Sequence, residues 1–148
     1  MQFPSTTRMK GSGSWCLLDK NTLLASSNCS SPFPNGEPVF IENKMAPPNR
    51  AYLKLYEALT LFGKTPKAGE FCIDIGGSPG GWAWVIQKCG ANVLSIDRSY
   101  LDEKISSLAG VSFEKRDAFS LLPKEFEKDG KKVDWFFSDV ICYPEKLY

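Results

Sequence analysis

The pattern of hydrophobic and polar residues changes near residue 47 and becomes a regular alternation beyond it. Short apolar runs, typical of buried strands, are separated by segments in which apolar residues recur at helical spacing. Strands that alternate with helices predict the α/β class, with a parallel sheet covered on both faces. About four strands are predicted, at Phe71–Ile75, Asn92–Ile96, Val111–Glu114 and Val133–Ser138.

The predicted helices are marked by residues that begin and end helices. The first follows Pro47-Pro48, with Asn49 as its N-cap and Gly63 as the residue that ends it. Further helical segments are predicted at Gly81–Cys89, which Gly90 stops, at Leu101–Leu108, and in a crossover, Ala118–Lys128, that is broken at Pro123.

The first 46 residues are predicted to be an irregular arm, because they are rich in Ser, Asn, Pro and Gly. Within this arm, Trp15–Leu18 and Thr22–Ala25 predict a hairpin, and Val39–Ile41 predicts another short strand. We therefore divide the chain into an N-terminal arm, residues 1–46, and part of an α/β domain, residues 47–148.

The predicted sheet has about four strands and is therefore smaller than a complete doubly wound sheet, which holds more. Its last strand would be an edge, and the segment VDWFFSDV is long and apolar for an edge. We expect the chain to be a C-terminally truncated domain and expect a homo-oligomer to form through this exposed edge.

Composition narrows the class of protein. No apolar run is long enough to cross a bilayer, and the first residues lack the apolar stretch of a signal peptide, so a cytoplasmic protein without a membrane partner is expected. The five cysteines form no CxxC pair, which favours reduced thiols over a disulfide framework or a zinc site. The chain has no histidine, which excludes an imidazole base and most catalytic zinc sites, and we expect no metal.

Charge is distributed unevenly along the chain. Residues 1–68 hold eight Lys or Arg against four Asp or Glu, whereas residues 69–148 hold ten against thirteen. For any single charged residue, the structural interpretation is a side chain on the solvated surface. The functional interpretation is that the first part faces a polyanion and the second holds a cationic cofactor.

A glycine-rich loop follows the first predicted strand and opens a helix, which is the context of a cofactor-binding loop. Glycines let the backbone approach a ligand, and the free N–H groups of the helix start meet the polar end of that ligand. The spacing is neither GxGxxG nor a P-loop, so NAD and nucleoside triphosphates are disfavoured. This loop holds four glycines and a proline, more such residues than we expect packing alone to require. The candidate binding residues are Gly76, Gly77, Ser78, Pro79, Gly80, Gly81 and Trp82.

Acidic residues follow the other predicted strands. Asp97 lies about 20 residues beyond the loop, where a carboxylate binds both hydroxyls of a ribose; the structural alternative is a helix N-cap. Asp117 is placed to accept a hydrogen bond from an adenine amino group, with a helix cap as an equal alternative. Asp139 follows an apolar strand, where a carboxylate is expensive to bury without a partner. Lys54, taken alone, is a solvated lysine.

Together, three segments resemble a known family, the FtsJ-like ribosomal RNA 2′-O-methyltransferases. Within it, they are most similar to the branch that methylates a cytidine of bacterial large-subunit rRNA. The segment Asn49–Leu55 is similar to the S-R-A-x-x-K-L helix of that family, with Asn in place of the usual Ser. Asp74–Trp82 is similar to its D-L-G-x-x-P-G-G-W loop, and Ser138–Val140 to its S/C-D-M/V strand end.

The resemblance implies a Rossmann-like fold and S-adenosylmethionine (SAM) as cofactor. It implies SAM contacts from the loop, Asp97, Asp117 and Asp139. The catalytic set of the family is Lys-Asp-Lys-Glu, of which the first Lys matches Lys54 and the Asp matches Asp139. The second Lys, usually assigned as the base, and the Glu have no match here.

The implied reaction is in-line methyl transfer from the sulfonium of SAM to a ribose 2′-oxygen of RNA, expected to be ribosomal RNA. Lysines near that oxygen would stabilise developing alkoxide, and Asp139 would hold them in place. The alternative, favoured by the two unmatched residues, is a non-catalytic SAM-binding or RNA-binding module that acts with a partner. Lys54 argues against a third possibility, a small-molecule methyltransferase, since such enzymes do not need that lysine.

Overall fold

The computed structural model describes residues 2–4, 13–126, 132–143 and 145 of the chain. It divides into two compact units, the first of residues 1–42 and 56–65, the second of residues 43–55 and 66–148. The predicted boundary between residues 46 and 47 stays a prediction.

The first unit contains the predicted hairpin. Strand β1, Ser14–Asp19, pairs antiparallel with β2, Thr22–Ser26, which confirms the hairpin. Elsewhere in this unit the side chains of Phe33, Phe40 and Tyr56 are buried, and the Phe40 ring centroid lies 5.8 Å from that of Phe33 and 5.5 Å from that of Tyr56. Aromatic packing therefore organises the segment that follows the hairpin.

The predicted strand at Val39–Ile41 is wrong. These residues form no strand, and the Val39 N–H donates to the Glu37 carbonyl oxygen at 3.0 Å, a local turn contact. A short apolar run such as this one forms a strand only where a partner strand is available. Here Phe40 is instead buried between two other aromatic rings.

The second unit is built on a parallel sheet whose four strands lie in the order β5-β4-β3-β6. The predicted strands and the α/β class are confirmed, with bounds that shift by at most two residues. The strands are β3, Phe71–Ile75; β4, Asn92–Asp97; β5, Val111–Lys115; and β6, Trp135–Ser138.

Three α-helices occur in the described residues: α1, Tyr52–Phe62; α2, Gly81–Lys88; and α3, Glu103–Ser106. Asn49 Oδ1 accepts from the Ala51 N–H at 3.1 Å, in the turn that leads into α1. Gly63 follows α1 at a φ of 72°, the left-handed conformation that commonly ends a helix.

The crossover between β5 and β6 differs from the helix-like segment that was predicted. It contains two short 3-10 turns, Ala118–Ser120 and Pro123–Glu125, and residues 127–131 lie outside the described residues. The guanidinium of Arg116 donates to the Glu125 carboxylate and to the Ser120 carbonyl oxygen, which fastens the two turns together. These polar contacts therefore help to hold the described part of the crossover in shape.

The two faces of the sheet are both buried, as predicted. Ile73, Ile75 and Ile96 form a cluster on one face, against which Leu121 and Phe126 of the crossover pack. Because side chains alternate along a strand, Asp74 and Ser95 point to the other face, where α2 packs on β3 and β4. A carboxyl group and a hydroxyl group thus lie in the layer between the sheet and α2.

Strand β6 pairs with β3 and with no other strand among the described residues, and its Phe136 is 58% exposed. An apolar open edge is a template for pairing with another chain, so we predict that the protein self-associates through β6. Sedimentation velocity measures this directly, and Phe136→Lys, which puts a charge on the edge, is expected to restore the monomer. A stable monomer of the unsubstituted protein would contradict the prediction.

No helix in the part of the chain that the structure describes has the length and apolar character needed to span a bilayer.

Candidate functional site

The candidate residues converge on one edge of the sheet. Strands β3, β4 and β6 are neighbours and parallel, so their carboxyl ends lie side by side. The glycine-rich loop leaves β3, Asp97 ends β4, and Asp139 follows β6. Ligands of open α/β sheets bind at this edge, which makes it the candidate site.

Lys54 and Asp139 are brought together although 85 residues separate them in the chain. The Lys54 ammonium donates to both carboxylate oxygens of Asp139, at 3.0 Å each. Lys54 lies in the first turn of α1, and its side chain is 65% exposed against 35% for Asp139. The pair is open to solvent on one side, as a group that meets a large substrate must be.

Asp97 fastens the loop to the end of β4. Its Oδ2 accepts from the Ser78 N–H at 3.1 Å, and its Oδ1 accepts from the Ser99 N–H at 2.8 Å. The structural alternative that Asp97 caps a helix is wrong, because the N-cap of α3 is Asp102. A carboxylate offers about four lone-pair positions, so two main-chain bonds leave Asp97 able to accept from hydroxyl groups.

Asp117 acts as a cap in this structure. Its Oδ1 accepts from the Phe119 N–H at 3.0 Å, which caps the turn Ala118–Ser120, and its Oδ2 lies 3.9 Å from the Arg98 guanidinium. From the sequence, this capping role and the recognition of adenine are equal alternatives. The adenine contact stays a prediction.

The glycines of the loop are required by packing, and the expectation that packing would not explain four of them is wrong. A Cβ at each position would lie closer to a neighbouring atom than real Cβ atoms come. The clashes are Gly76 with Val140 Cγ1 at 2.6 Å, Gly77 with Ser95 Oγ at 2.0 Å, Gly80 with Ile105 Cγ2 at 2.7 Å, and Gly81 with Asn49 Oδ1 at 2.4 Å. The glycines thus seat the loop in the fold, whether or not they also line a ligand.

The remaining loop residues are tied to the segment after β4. Ser78 Oγ donates to the Tyr100 carbonyl oxygen at 2.9 Å, and the Asp102 N–H donates to the Pro79 carbonyl oxygen at 3.0 Å. Gly80 precedes α2 with a φ of 114°, a conformation that side chains rarely adopt. The loop is therefore preorganised, which reduces the ordering cost of binding.

Trp82 has a partner that the sequence did not predict. Its indole N–H donates to the Ala51 carbonyl oxygen at 2.9 Å, at the start of α1, and its ring meets the Phe137 ring edge-on at a centroid distance of 6.3 Å. These contacts give the Trp82 side chain two structural partners. They do not test its predicted role in cofactor binding, which stays a prediction.

Asp74 is a candidate that sequence reasoning passed over, although an acidic residue inside the apolar strand FCIDI is itself a signal. Its side chain is 1% exposed, its Oδ2 accepts from Ser95 Oγ at 3.2 Å, and its Oδ1 has no partner among the described residues. Burial raises the pKa of Asp74 to about 7; the hydrogen bond from Ser95 opposes this rise, and the nearby charges of Asp139 and Asp97 add to it.

Comparisons with known proteins agree with this geometry. The sequence profile of the FtsJ-like methyltransferase family matches residues 47–145, more than half of the chain. Three similar curated proteins are each called ribosomal RNA large subunit methyltransferase M. They come from Halorhodospira halophila (34% identity over 68% of this chain), Alkalilimnicola ehrlichii (30% over 84%) and Xanthomonas campestris pv. campestris (33% over 89%).

These relatives are much longer than the chain. The matched region spans 29% of the Halorhodospira protein, 34% of the Alkalilimnicola protein and 39% of the Xanthomonas protein. The similarity therefore concerns one region of each relative.

Proposed function

The chain belongs to the FtsJ-like methyltransferase family, and we propose that it binds SAM and supplies part of a site that methylates a ribose 2′-hydroxyl of ribosomal RNA. One observation carries the proposal. The Lys54 ammonium lies 3.0 Å from both carboxylate oxygens of Asp139, at the sheet edge that also holds the glycine-rich loop and Asp97.

The chemistry of this edge suits SAM. The sulfonium of SAM is positively charged, and three carboxylates, those of Asp97, Asp117 and Asp139, end or follow strands at this edge of the sheet. The buried Asp74 Oδ1 has no partner within the described residues, so it has an acceptor to offer to a donor at the site. The proposed cofactor-binding set is Gly76, Gly77, Ser78, Pro79, Gly80, Gly81, Trp82, Asp97, Asp117 and Asp139.

Bound SAM supplies an electrophilic methyl group; the residues of the chain act on the acceptor oxygen. A ribose hydroxyl is a weak nucleophile until its proton is shared or removed. The Lys54 ammonium provides a positive charge and spare N–H donors for the oxygen as negative charge develops on it. Asp139 orients that ammonium, since the Lys54 side chain donates to both of its carboxylate oxygens.

Titration of the chain with SAM, followed by transfer of labelled methyl groups to total rRNA, tests the proposal. Binding with transfer supports the enzyme. Binding without transfer overturns catalysis by this chain and favours the alternative, a non-catalytic SAM-binding module that acts with a partner. An absence of SAM binding overturns both.

Asp97→Ala is expected to weaken SAM binding about ten- to a hundredfold, because hydrogen bonds between a carboxylate and two ribose hydroxyls are lost. Isothermal titration calorimetry gives the two dissociation constants. Asp134→Ala is the control, since that carboxylate accepts from the Phe71 N–H near the opposite end of the sheet. Equal affinities of the unsubstituted protein and Asp97→Ala would rule out the ribose contact.

A further inference from the structure

The start of α1 lies directly against the start of α2. A Cβ at Gly81 would lie 2.4 Å from Asn49 Oδ1 and 3.3 Å from the Tyr52 nitrogen, so a glycine is needed for the two helices to approach. One residue later, the Trp82 indole N–H donates to the Ala51 carbonyl oxygen at 2.9 Å. The end of the glycine-rich loop is thus in contact with the turn that leads into α1.

The carbonyl oxygen that Trp82 contacts belongs to the turn that carries Lys54. The Lys54 backbone N–H donates to the same Ala51 oxygen, at 3.0 Å. The indole and the backbone of Lys54 therefore share one acceptor. Any displacement of the Ala51 carbonyl also displaces the Cα atom from which the Lys54 side chain extends.

Trp82 also contacts the strand that leads to Asp139. Its ring packs edge-on against Phe137 of β6, two residues before Asp139, and the Asp139 N–H donates to the Ile75 carbonyl oxygen at 3.4 Å. One side chain thus touches both elements that carry the ion pair, α1 through its N–H and β6 through its ring.

We propose that Trp82 is a positioning residue, which sets the separation between α1 and β6 at which the Lys54 ammonium reaches both oxygens of Asp139. The Lys54 side chain has four rotatable bonds and is mostly exposed, so packing against neighbouring residues does not fix its conformation. Its reach is fixed by the backbone of α1. The role in methyl transfer rests on the proposed function, whereas the positioning itself does not.

The first test is Trp82→Phe, which removes the indole N–H and keeps an aromatic ring. The readout is the rate at which acetic anhydride acylates Lys54, measured by mass spectrometry against Lys104 of the same molecule. An amine whose N–H groups are donated to a carboxylate reacts more slowly than one in open solvent, so the substitution is expected to raise the relative rate about threefold or more. An unchanged rate overturns the proposal.

The Asp139→Asn variant gives the acylation rate of Lys54 without a charged partner. If Trp82 acts through the ion pair, the double variant reacts no faster than Asp139→Asn alone, because residues in one network are not additive. An additive increase overturns the proposal. Trp135→Phe is the matched control: it removes an indole N–H that donates to Glu70 Oε2 at 2.7 Å and keeps a ring that can stack on Phe137, so the Lys54 rate is expected to stay the same.

Gly81→Ala is the second variant, used if Trp82→Phe does not fold. Its methyl group would push Asn49 away from α2, and it is expected to raise the Lys54 rate in the same direction. Because acylation needs neither SAM nor RNA, the result can be read even if the proposed methyl transfer fails.

Where transfer is observed, Trp82→Phe should lower kcat about fivefold, a larger change than that in KM for SAM, because positioning of Lys54 acts on the reacting state. A raised KM with unchanged kcat would instead assign Trp82 to cofactor binding and overturn the positioning role.

Discussion

Asp139→Asn is expected to lower the rate of methyl transfer about a hundredfold or more, since removing one electrostatic partner from an active site costs about that much. The Lys54 ammonium now donates to two carboxylate oxygens, each at 3.0 Å. An amide keeps the shape of the side chain but offers one acceptor oxygen and no negative charge. Lys54 then loses one of the two acceptors that orient it and the negative charge beside it.

Initial rates of labelled methyl transfer to total rRNA, with SAM affinity from calorimetry, measure this effect. The rate should fall far more than the affinity. Asp134→Asn makes the same chemical change at the other end of β6 and should leave both quantities within about twofold, as surface substitutions usually do. A rate for Asp139→Asn close to that of the unsubstituted protein would show that the ion pair has no part in transfer.

The strands of the sheet could be predicted because each is a short apolar run bounded by turn residues. Phe71–Ile75 has the same bounds in the structure as in the prediction. Val39–Ile41 has the same local pattern and forms no strand, since the pattern contains no information about a partner. The helical prediction for the crossover after β5 was wrong for a similar reason. The shape of this segment depends on the contact of Arg116 with Glu125, nine residues away.

The location of the candidate site could also be predicted, because residues that follow parallel strands meet at one edge. That rule brings the loop, Asp97 and Asp139 together without any knowledge of side-chain contacts. It could not reveal why the loop needs its glycines. Gly76 is constrained by Val140 and Gly77 by Ser95, residues far along the chain.

Contacts between distant residues also explain the parts of the site that were missed. The pairing of the Trp82 indole with the Ala51 carbonyl depends on how α1 docks on α2, and no periodicity in the sequence encodes that. The acidic Asp74 is visible in the sequence, but its environment depends on the register that places Ser95 beside it.

Asp74 is expected to make the free energy of unfolding fall as pH rises from about 4 to about 7. Its pKa is about 7 in the folded protein against 3.8 for an ordinary aspartate, chiefly because of burial. In that pH range the folded state binds more protons than the unfolded state, so raising the pH favours unfolding. The stabilisation is complete below the unfolded pKa and is lost as pH rises through the folded pKa. A shift of about three pH units corresponds to roughly 4 kcal/mol.

Asp74→Asn isolates this contribution, because an amide fills the same space and does not titrate. Urea denaturation at several pH values between 4 and 8 gives both stability curves, and their difference cancels the other acidic groups. The two proteins should be similar near pH 4, and the variant should be the more stable above pH 7. Parallel curves would mean that Asp74 has an ordinary pKa. Ser95→Ala removes a hydrogen bond that lowers this pKa, so it should move the pH window upward.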